Sequence, residues 1–251
     1  MPNFNRIEHP ILSVEIGGGS PDRRPSSFSL ITDEGFPSVV ACLQFPADET
    51  KGEAGDPAVV NMAVGDDEYL LFTGEIYSVS VSAKHRIIAL TDSYKKLCDT
   101  PIVAAYRKEQ ASVILQDTLD SSGIGETSIT CPSALIHRFS TKEIPAEYVI
   151  RLLIKALEEH SHMGLRFFFD EKDKFHFGTD ADTGKNEGDV FEFETGKNIL
   201  KKGEGWIEVF PLPIRHTQEV KVDGATLVTR RTHLEVAGKN SRLKLWLREA
   251  K

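Results

Sequence analysis

The order of local patterns along the chain is the feature that most restricts its fold. Alternating polarity that is typical of β-strands occupies about the first hundred positions and the last fifty, and helical patterns are confined to the middle. Strand-rich ends around a helical middle indicate β-barrel or β-sandwich units with an α/β insertion. We therefore predict a mainly β fold with an α+β insertion, and two small β-barrel-like units in one protomer.

The clearest strand pattern lies between Tyr69 and Leu90. From Tyr77 to Ser82 an aromatic or β-branched residue alternates with serine, so that successive side chains point to opposite faces of a strand. Ala83-Lys84 is a tight connection to a second strand, His85 to Leu90, which completes a hairpin. Gly74 lies inside the first strand and predicts a bulge or a sharp bend.

Three helices are predicted in the middle of the chain. A short helix follows the first hairpin, with Thr91 as its cap. The second helix covers Gln110 to Ser121, and the third covers Pro145 to Ser161 with its proline at the first helical position. A second hairpin follows between Leu165 and Phe177.

These patterns set the predicted domains. Residues 1–99 are expected to form a first β-barrel-like domain that ends in a short helix. Residues 100–251 are expected to form a second β-barrel-like domain, which carries a helix and hairpin insertion at about 141–205. The Gly- and Asp-bearing stretches Pro46–Pro57 and Thr179–Asp189 are predicted to be loops.

Charge and composition exclude several classes of protein. The 251 residues carry a net charge of −8, which disfavours general nucleic-acid binding but allows a local basic patch. No apolar run approaches the roughly 18 residues that a membrane helix needs. Residues 1–10 lack the apolar core of a secretory signal, so we expect a cytoplasmic protein. Cys42, Cys98 and Cys131 are few and widely spaced, and we interpret them as buried apolar groups outside any disulfide or metal site.

No catalytic, cofactor-binding or metal-ligating residue is predicted, and we expect a protein that is not an enzyme. His160 and His162 have the spacing of a metal-binding pair, and Glu158, Glu159 and His176 are further candidate neighbours. They fall at a predicted helix end, however, where residues two apart do not face each other. The segment that starts at Asp180 fails as a calcium loop, because Lys185 and Phe191 stand where glycine and glutamate are needed.

A set of segments in the middle of the chain resembles tail-hub proteins of contractile phages. The resemblance is to the late control gene D family, the Mu-like baseplate hub and the N-terminal part of the type VI secretion spike VgrG. It rests on the order and spacing of five segments, which are Phe72–Ile76, Ile88–Leu97, Gln110–Leu119, Tyr148–Glu159 and Gly164–Gly178.

The resemblance implies a structural role. Hubs of this family are homotrimers in which each protomer supplies two similar barrels, and the ring joins the tail tube to the central spike. It implies that DNA passes through without specific binding, that no cofactor or membrane is involved, and that the protein assembles in the cytoplasm and resides in the baseplate of a virion tail. An acidic wall would suit such a passage, and Asp48-Glu49 and Asp66-Asp67-Glu68 are the candidate surface residues.

Two other functions remain open on the sequence alone. A β-rich module that binds a carbohydrate or a protein partner is the main alternative. A hydrolase that uses His160 and His162 is less favoured. The phage, prophage and bacteriocin-like forms of an injection device also remain open.

Overall fold

The computed structural model describes residues 9–19, 24–47, 52–179, 182 and 190–249. The chain forms two compact units. The first unit comprises Met1–Asp92 and Gly184–Lys251, and the second comprises Ser93–Thr183. The chain therefore leaves the first unit, builds the second, and returns.

Strands dominate the described residues, and the predicted mainly β fold with a helical insertion is confirmed. The helices are α1 (Tyr94–Asp99), α2 (Ala111–Ser121) and α3 (Ala146–Glu159). The strands are, in chain order, β1 (Ile11–Ile16), β2 (Ser27–Asp33), β3 (Phe36–Pro46), β4 (Pro57–Val64), β5 (Asp67–Val81), β6 (His85–Thr91), β7 (Pro101–Gln110), β8 (Thr127–Ile129), β9 (Leu135–Pro145), β10 (Arg166–Phe169), β11 (Phe175–Gly178), β12 (Phe191–Phe193), β13 (Ile199–Gly203), β14 (Trp206–Val209), β15 (Glu219–Val222), β16 (Ala225–Val236) and β17 (Arg242–Glu249).

A sheet of twelve strands forms the first unit. Its main path runs β1-β4-β5-β6-β3-β2-β16-β17-β14-β13, and β15 and β12 branch from β16. The pairing of β2 with β16 is antiparallel and joins the two chain segments, with Phe28 opposite Val236 and Thr32 opposite Thr232. The two threonine hydroxyls lie 2.9 Å apart in the buried interior. Both segments contribute to one hydrophobic core.

The observed units differ from the predicted domains. The strands that precede and follow the second unit in sequence belong to one unit. The second unit starts at Ser93, well before the predicted insertion at about 141. The difference arises because the β2–β16 pairing joins residues about two hundred positions apart, which no local pattern reveals.

Strict alternation explains why the first unit is a sheet. In β1, Leu12, Val14 and Ile16 are buried and the residues between them are not. The strands β2, β3 and β4 follow the same two-residue period. One face of the sheet is therefore apolar and covers the core, which stabilises the register because a slip of one residue would expose every buried side chain.

The hairpin of β5 and β6 is confirmed, but the role of Gly74 is a close approach and not a bulge. Pairing with β4 passes through Gly74 without interruption, and the register shifts in β5 occur at Leu71 and Tyr77. A Cβ atom on Gly74 would lie 2.3 Å from the Thr91 carbonyl oxygen and 2.7 Å from the Phe72 ring. Glycine is needed here because β6 and the ring occupy the space of a side chain.

The start of α1 differs from the prediction in its cap. Thr91 is the last residue of β6, and the helix begins at Tyr94 after Ser93. The backbone N–H and the hydroxyl of Ser93 donate to the Asp173 carboxylate at 2.7 and 2.6 Å. The preceding Asp92 is buried and accepts the Val39 N–H at 2.7 Å. Two aspartates therefore fix the point where the chain leaves the first unit.

The second unit has its own core. The antiparallel pair β7–β9 and the small sheet β10-β11-β8 pack with the three helices. The hairpin of β10 and β11 is confirmed, and its phenylalanine rings form the centre of the core, with Phe175 5.5 Å from Phe169 and 5.8 Å from Phe167. The helices α2 and α3 match the predicted segments within two residues at each end.

Replacing Gly74 by alanine tests the close approach. We expect Gly74→Ala to lower the free energy of unfolding by about 1–3 kcal/mol or more, because the new methyl group must displace the backbone of β6. Chemical denaturation followed by fluorescence measures the change. Gly125→Ala is the control, because a Cβ atom there meets nothing within 4 Å. Equal effects of the two substitutions would contradict the assignment.

Candidate assembly surfaces

The candidate histidines His160, His162 and His176 form no metal-binding group within the described part of the chain. His160 and His162 follow α3, and the backbone N–H of each donates to the Leu157 carbonyl at 3.0 Å, which ends the helix. His176 has a different role in the β10–β11 hairpin, where its Nε2 lies 2.9 Å from Asp170 and its ring stacks on Phe168. Among the described residues, no group of three or more His, Cys, Asp or Glu side chains is placed to hold a metal ion.

The three cysteines are free thiols, and each is half-buried where the sequence predicted a buried residue. Burial raises the pKa of the Cys131 thiol to about 11, and it also raises the pKa of Cys42 and Cys98. Because the thiolate is the reactive form, thiols with raised pKa values are poor nucleophiles at neutral pH.

A shallow pocket lies where β1 ends. Gly17 and Gly18 have φ angles of +64° and +69° and form the turn after the strand. Arg86 reaches into the pocket and its Nη2 donates to the Gly52 carbonyl at 2.6 Å. The Asp56 carboxylate accepts the Glu53 N–H at 2.9 Å. The Arg86 and Asp56 side chains therefore stabilise the loop that contains Gly52 and Glu53.

The predicted acidic surfaces are only partly described. Asp66, Asp67 and Glu68 are exposed at the turn between β4 and β5, as expected of surface residues. Asp48-Glu49 and most of the segment from Asp180 to Asp189 lie outside the described residues. No helix in the described part of the chain is long and apolar enough to cross a membrane.

Among the described strands, the main path of the twelve-stranded sheet ends at β1 and at β13. Within the described residues, β1 and β13 each pair with a single strand along the main path. Both carry exposed apolar side chains, with Ile11 51% and Leu200 45% exposed. Unpaired N–H and C=O groups on such edges are sites at which another chain can add a strand.

The edge strand β13 is fixed by the turn between β15 and β16. Asp223 in that turn accepts hydrogen bonds from the Thr195 N–H and hydroxyl at 2.7 and 2.8 Å and from Lys202 Nζ at 2.6 Å. The Lys202 ammonium, followed by the Thr195 donors, lowers the pKa of Asp223 to about 2. The carboxylate is thus charged well below neutral pH and links three segments of the first unit.

The outward side of the sheet combines apolar and cationic regions. Val40, Tyr77 and Ile87 are 50%, 58% and 43% exposed on β3, β5 and β6. On β14 and β17, Lys244 Nζ lies 4.0 Å from the ring centroid of Trp206 and 4.8 Å from that of Trp246. Such cation–π contacts stabilise the cation against the ring faces.

Comparison with known proteins identifies the fold. No family model matches the chain, and no curated protein matches it in sequence. The crystal structure of the 43 kDa tail protein of prophage MuSo2 from Shewanella oneidensis superposes with a TM-score of 0.70 at 11% identity, covering 96% of this chain and 98% of that one. A tail protein from Neisseria meningitidis MC58 gives a TM-score of 0.69 at 12% identity and 96% coverage of both chains. The chain has the fold of these tail proteins.

A third structure extends the similarity to secretion systems. It is an Escherichia coli protein described as a component of the type VI secretion system that resembles T4 bacteriophage tail proteins. Its TM-score is 0.68 at 12% identity, with 95% of this chain and 77% of that chain covered. The tail-protein fold therefore spans both units of the chain, where the sequence resemblance covered only the segments between Phe72 and Gly178.

Acid titration of Asp223 tests the anchoring of β13. The folded pKa is about 2 and the ordinary value for aspartate is about 3.9, so the charged form stabilises the fold above the ordinary value. We expect Asp223→Ala to be less stable than wild type at pH 6, and the difference to shrink as the pH falls from about 4 through 2. Urea unfolding at a series of pH values measures it.

Glu204→Ala is the matched control for the loss of an exposed turn carboxylate. Glu204 lies in the turn between β13 and β14, and its side chain makes no ion pair or hydrogen bond within the described structure. This substitution should leave the free energy of unfolding close to that of wild type at pH 6. A pH-independent difference for Asp223→Ala would show that the carboxylate does not hold the edge strand through its charge.

Proposed function

We propose that the protein is a structural component of a contractile phage tail or a related injection device, and that it is the hub that joins the tail tube to the central spike. The observation that carries the proposal is the fold shared with two tail proteins over 96% of this chain and nearly all of theirs. The coverage in both directions supports the proposal, because both units of this chain take part in the shared fold.

The hub is proposed to be a homotrimer. Each protomer would contribute two barrel-like parts, built from β1–β6 and from β12–β17, so that three protomers form a ring of six similar parts. The open edges at β1 and β13 support this arrangement, because cyclic symmetry lets every edge find a partner and then stops further growth. The proposed partners are the tail tube and the spike.

The ring would let DNA pass without binding it specifically. The net charge of −8 supports a passage that repels phosphates, and the exposed Asp66–Glu68 turn is a candidate for its surface. The proposed role is non-enzymatic, with assembly in the cytoplasm and a final location in the tail baseplate.

A carbohydrate-binding module is less well supported. Such modules present open aromatic faces to sugar rings. Here Lys244 lies over Trp206 and Trp246, and Arg231 lies 5.1 Å from the Trp246 ring centroid. Cations of the same chain therefore already contact both indole rings.

Measurement of the mass in solution tests the hub proposal. We expect light scattering and mass photometry of the full chain to show a particle of three chains of 27.9 kDa each, alone or together with the spike protein of the same gene cluster. Mass spectrometry of purified particles should then detect the chain at three copies for each trimeric spike. A strict monomer under all these conditions, or absence from the particles, would refute the proposal.

A further inference from the structure

The β7–β9 pair carries an exposed cationic cluster in an otherwise acidic protein. Arg107 and Arg138 lie directly opposite each other in the register of the two strands. Lys108 and His137 are next to them, and all four side chains are exposed. We name these four residues the cationic ribbon.

A strained backbone places consecutive cationic residues outside. Lys108 has a φ angle of +55°, in the left-handed region that side chains other than glycine rarely adopt. On β9 the strict alternation of burial also breaks, since His137 and Arg138 are both exposed between the buried Ile136 and Phe139. On each of the two strands, therefore, two successive residues face solvent, and the two arginines among them are paired with each other across the strands.

The cationic ribbon forms no ion pair among the described residues. In the described structure its four side chains make no ion pair or hydrogen bond. The nearby carboxylates have other partners, because Glu109 accepts the Gln110 N–H and Asp117 accepts the Tyr106 hydroxyl. Like charges directly opposite each other destabilise a strand pair, so an external anion would relieve a repulsion that the free chain retains.

The same chain carries a surface of opposite charge. Asp66, Asp67 and Glu68 are three consecutive exposed carboxylates at the tip of the β4–β5 hairpin, and none of them forms an ion pair within the described residues. We name these three residues the acidic tip. Its carboxylates and the guanidinium groups of the ribbon are the pairing that gives bidentate, charge-assisted hydrogen bonds.

We propose that the cationic ribbon of one copy binds the acidic tip of a second copy. The inference rests on the proposed ring, because a contact between two different patches is head-to-tail and generates a ring when the rotation closes. It adds the residues that carry one subunit contact. Electrostatic complementarity of this kind also selects the correct partner and raises the rate of encounter.

Charge reversal and charge exchange test the contact in the full chain. Arg107→Glu/Arg138→Glu and Asp66→Lys/Glu68→Lys should each weaken self-association at least about tenfold, because each places like charges across the interface. The combined variant restores opposite charges with exchanged sides and the wild-type net charge, so it should regain most of the lost affinity. Sedimentation equilibrium at low and high salt measures the constants, and wild-type association should weaken as salt rises.

Two controls separate the contact from general effects of charge and folding. Lys84→Glu/Lys155→Glu makes the same change in net charge at two other exposed positions and should leave association unchanged. The single variant Arg138→Glu should keep or raise the thermal stability, because it replaces a repulsion with an attraction opposite Arg107, and should still weaken association. Circular dichroism checks that each variant is folded.

The outcomes separate this inference from the hub proposal. A wild-type trimer that is indifferent to both reversals overturns the contact and leaves the hub proposal standing, whereas a strict monomer overturns both. Failure of the combined variant to recover also overturns the contact. Binding of a fluorescent DNA duplex that is lost only in the ribbon reversal, with self-association unchanged, would make the ribbon a nucleic-acid surface and overturn the inference as well.

Discussion

The antiparallel pairing of β2 with β16 is the interaction on which the rest of the architecture depends. It joins the chain segment that precedes the second unit in sequence to the segment that follows it. The buried hydroxyls of Thr32 and Thr232 form a hydrogen bond within this pairing. Without this pairing the main path of the sheet would divide between β2 and β16. Forming this pairing costs the conformational entropy of closing a long loop. Because that entropic cost grows only slowly with loop length, a whole unit can be inserted within the loop.

Features of the fold that depend on interactions between residues close in sequence were predicted, and features that depend on distant residues were not. The β5–β6 hairpin, the β10–β11 hairpin and the helices α2 and α3 depend on periodicity within about twenty residues, and each was predicted close to its observed bounds. The domain division and the cap of α1 were not, because they depend on β16 and on Asp173, which lie far away in sequence. Gly74 was recognised as unusual, but only the position of Thr91 shows why.

The surfaces illustrate the same limit. The acidic residues Asp66–Glu68 stand together in the sequence and were expected at the surface. The cationic ribbon was missed, because Arg107 and Arg138 are thirty-one positions apart and only the register of β7 with β9 places them opposite each other. The net charge of −8 does not reveal such a cluster, because it is a sum over the whole chain and does not record where the charges lie.

The insertion of the second unit between β6 and β12 has a consequence for how this protein can change over generations. The chain enters and leaves that unit through one connection each, and its hydrophobic core is built from its own residues. Lengthening, shortening or replacing the unit therefore leaves every strand register of the large sheet untouched. The second unit can therefore change during evolution while the first unit keeps its dimensions. We expect relatives to differ most in sequence and length between Ser93 and Thr183.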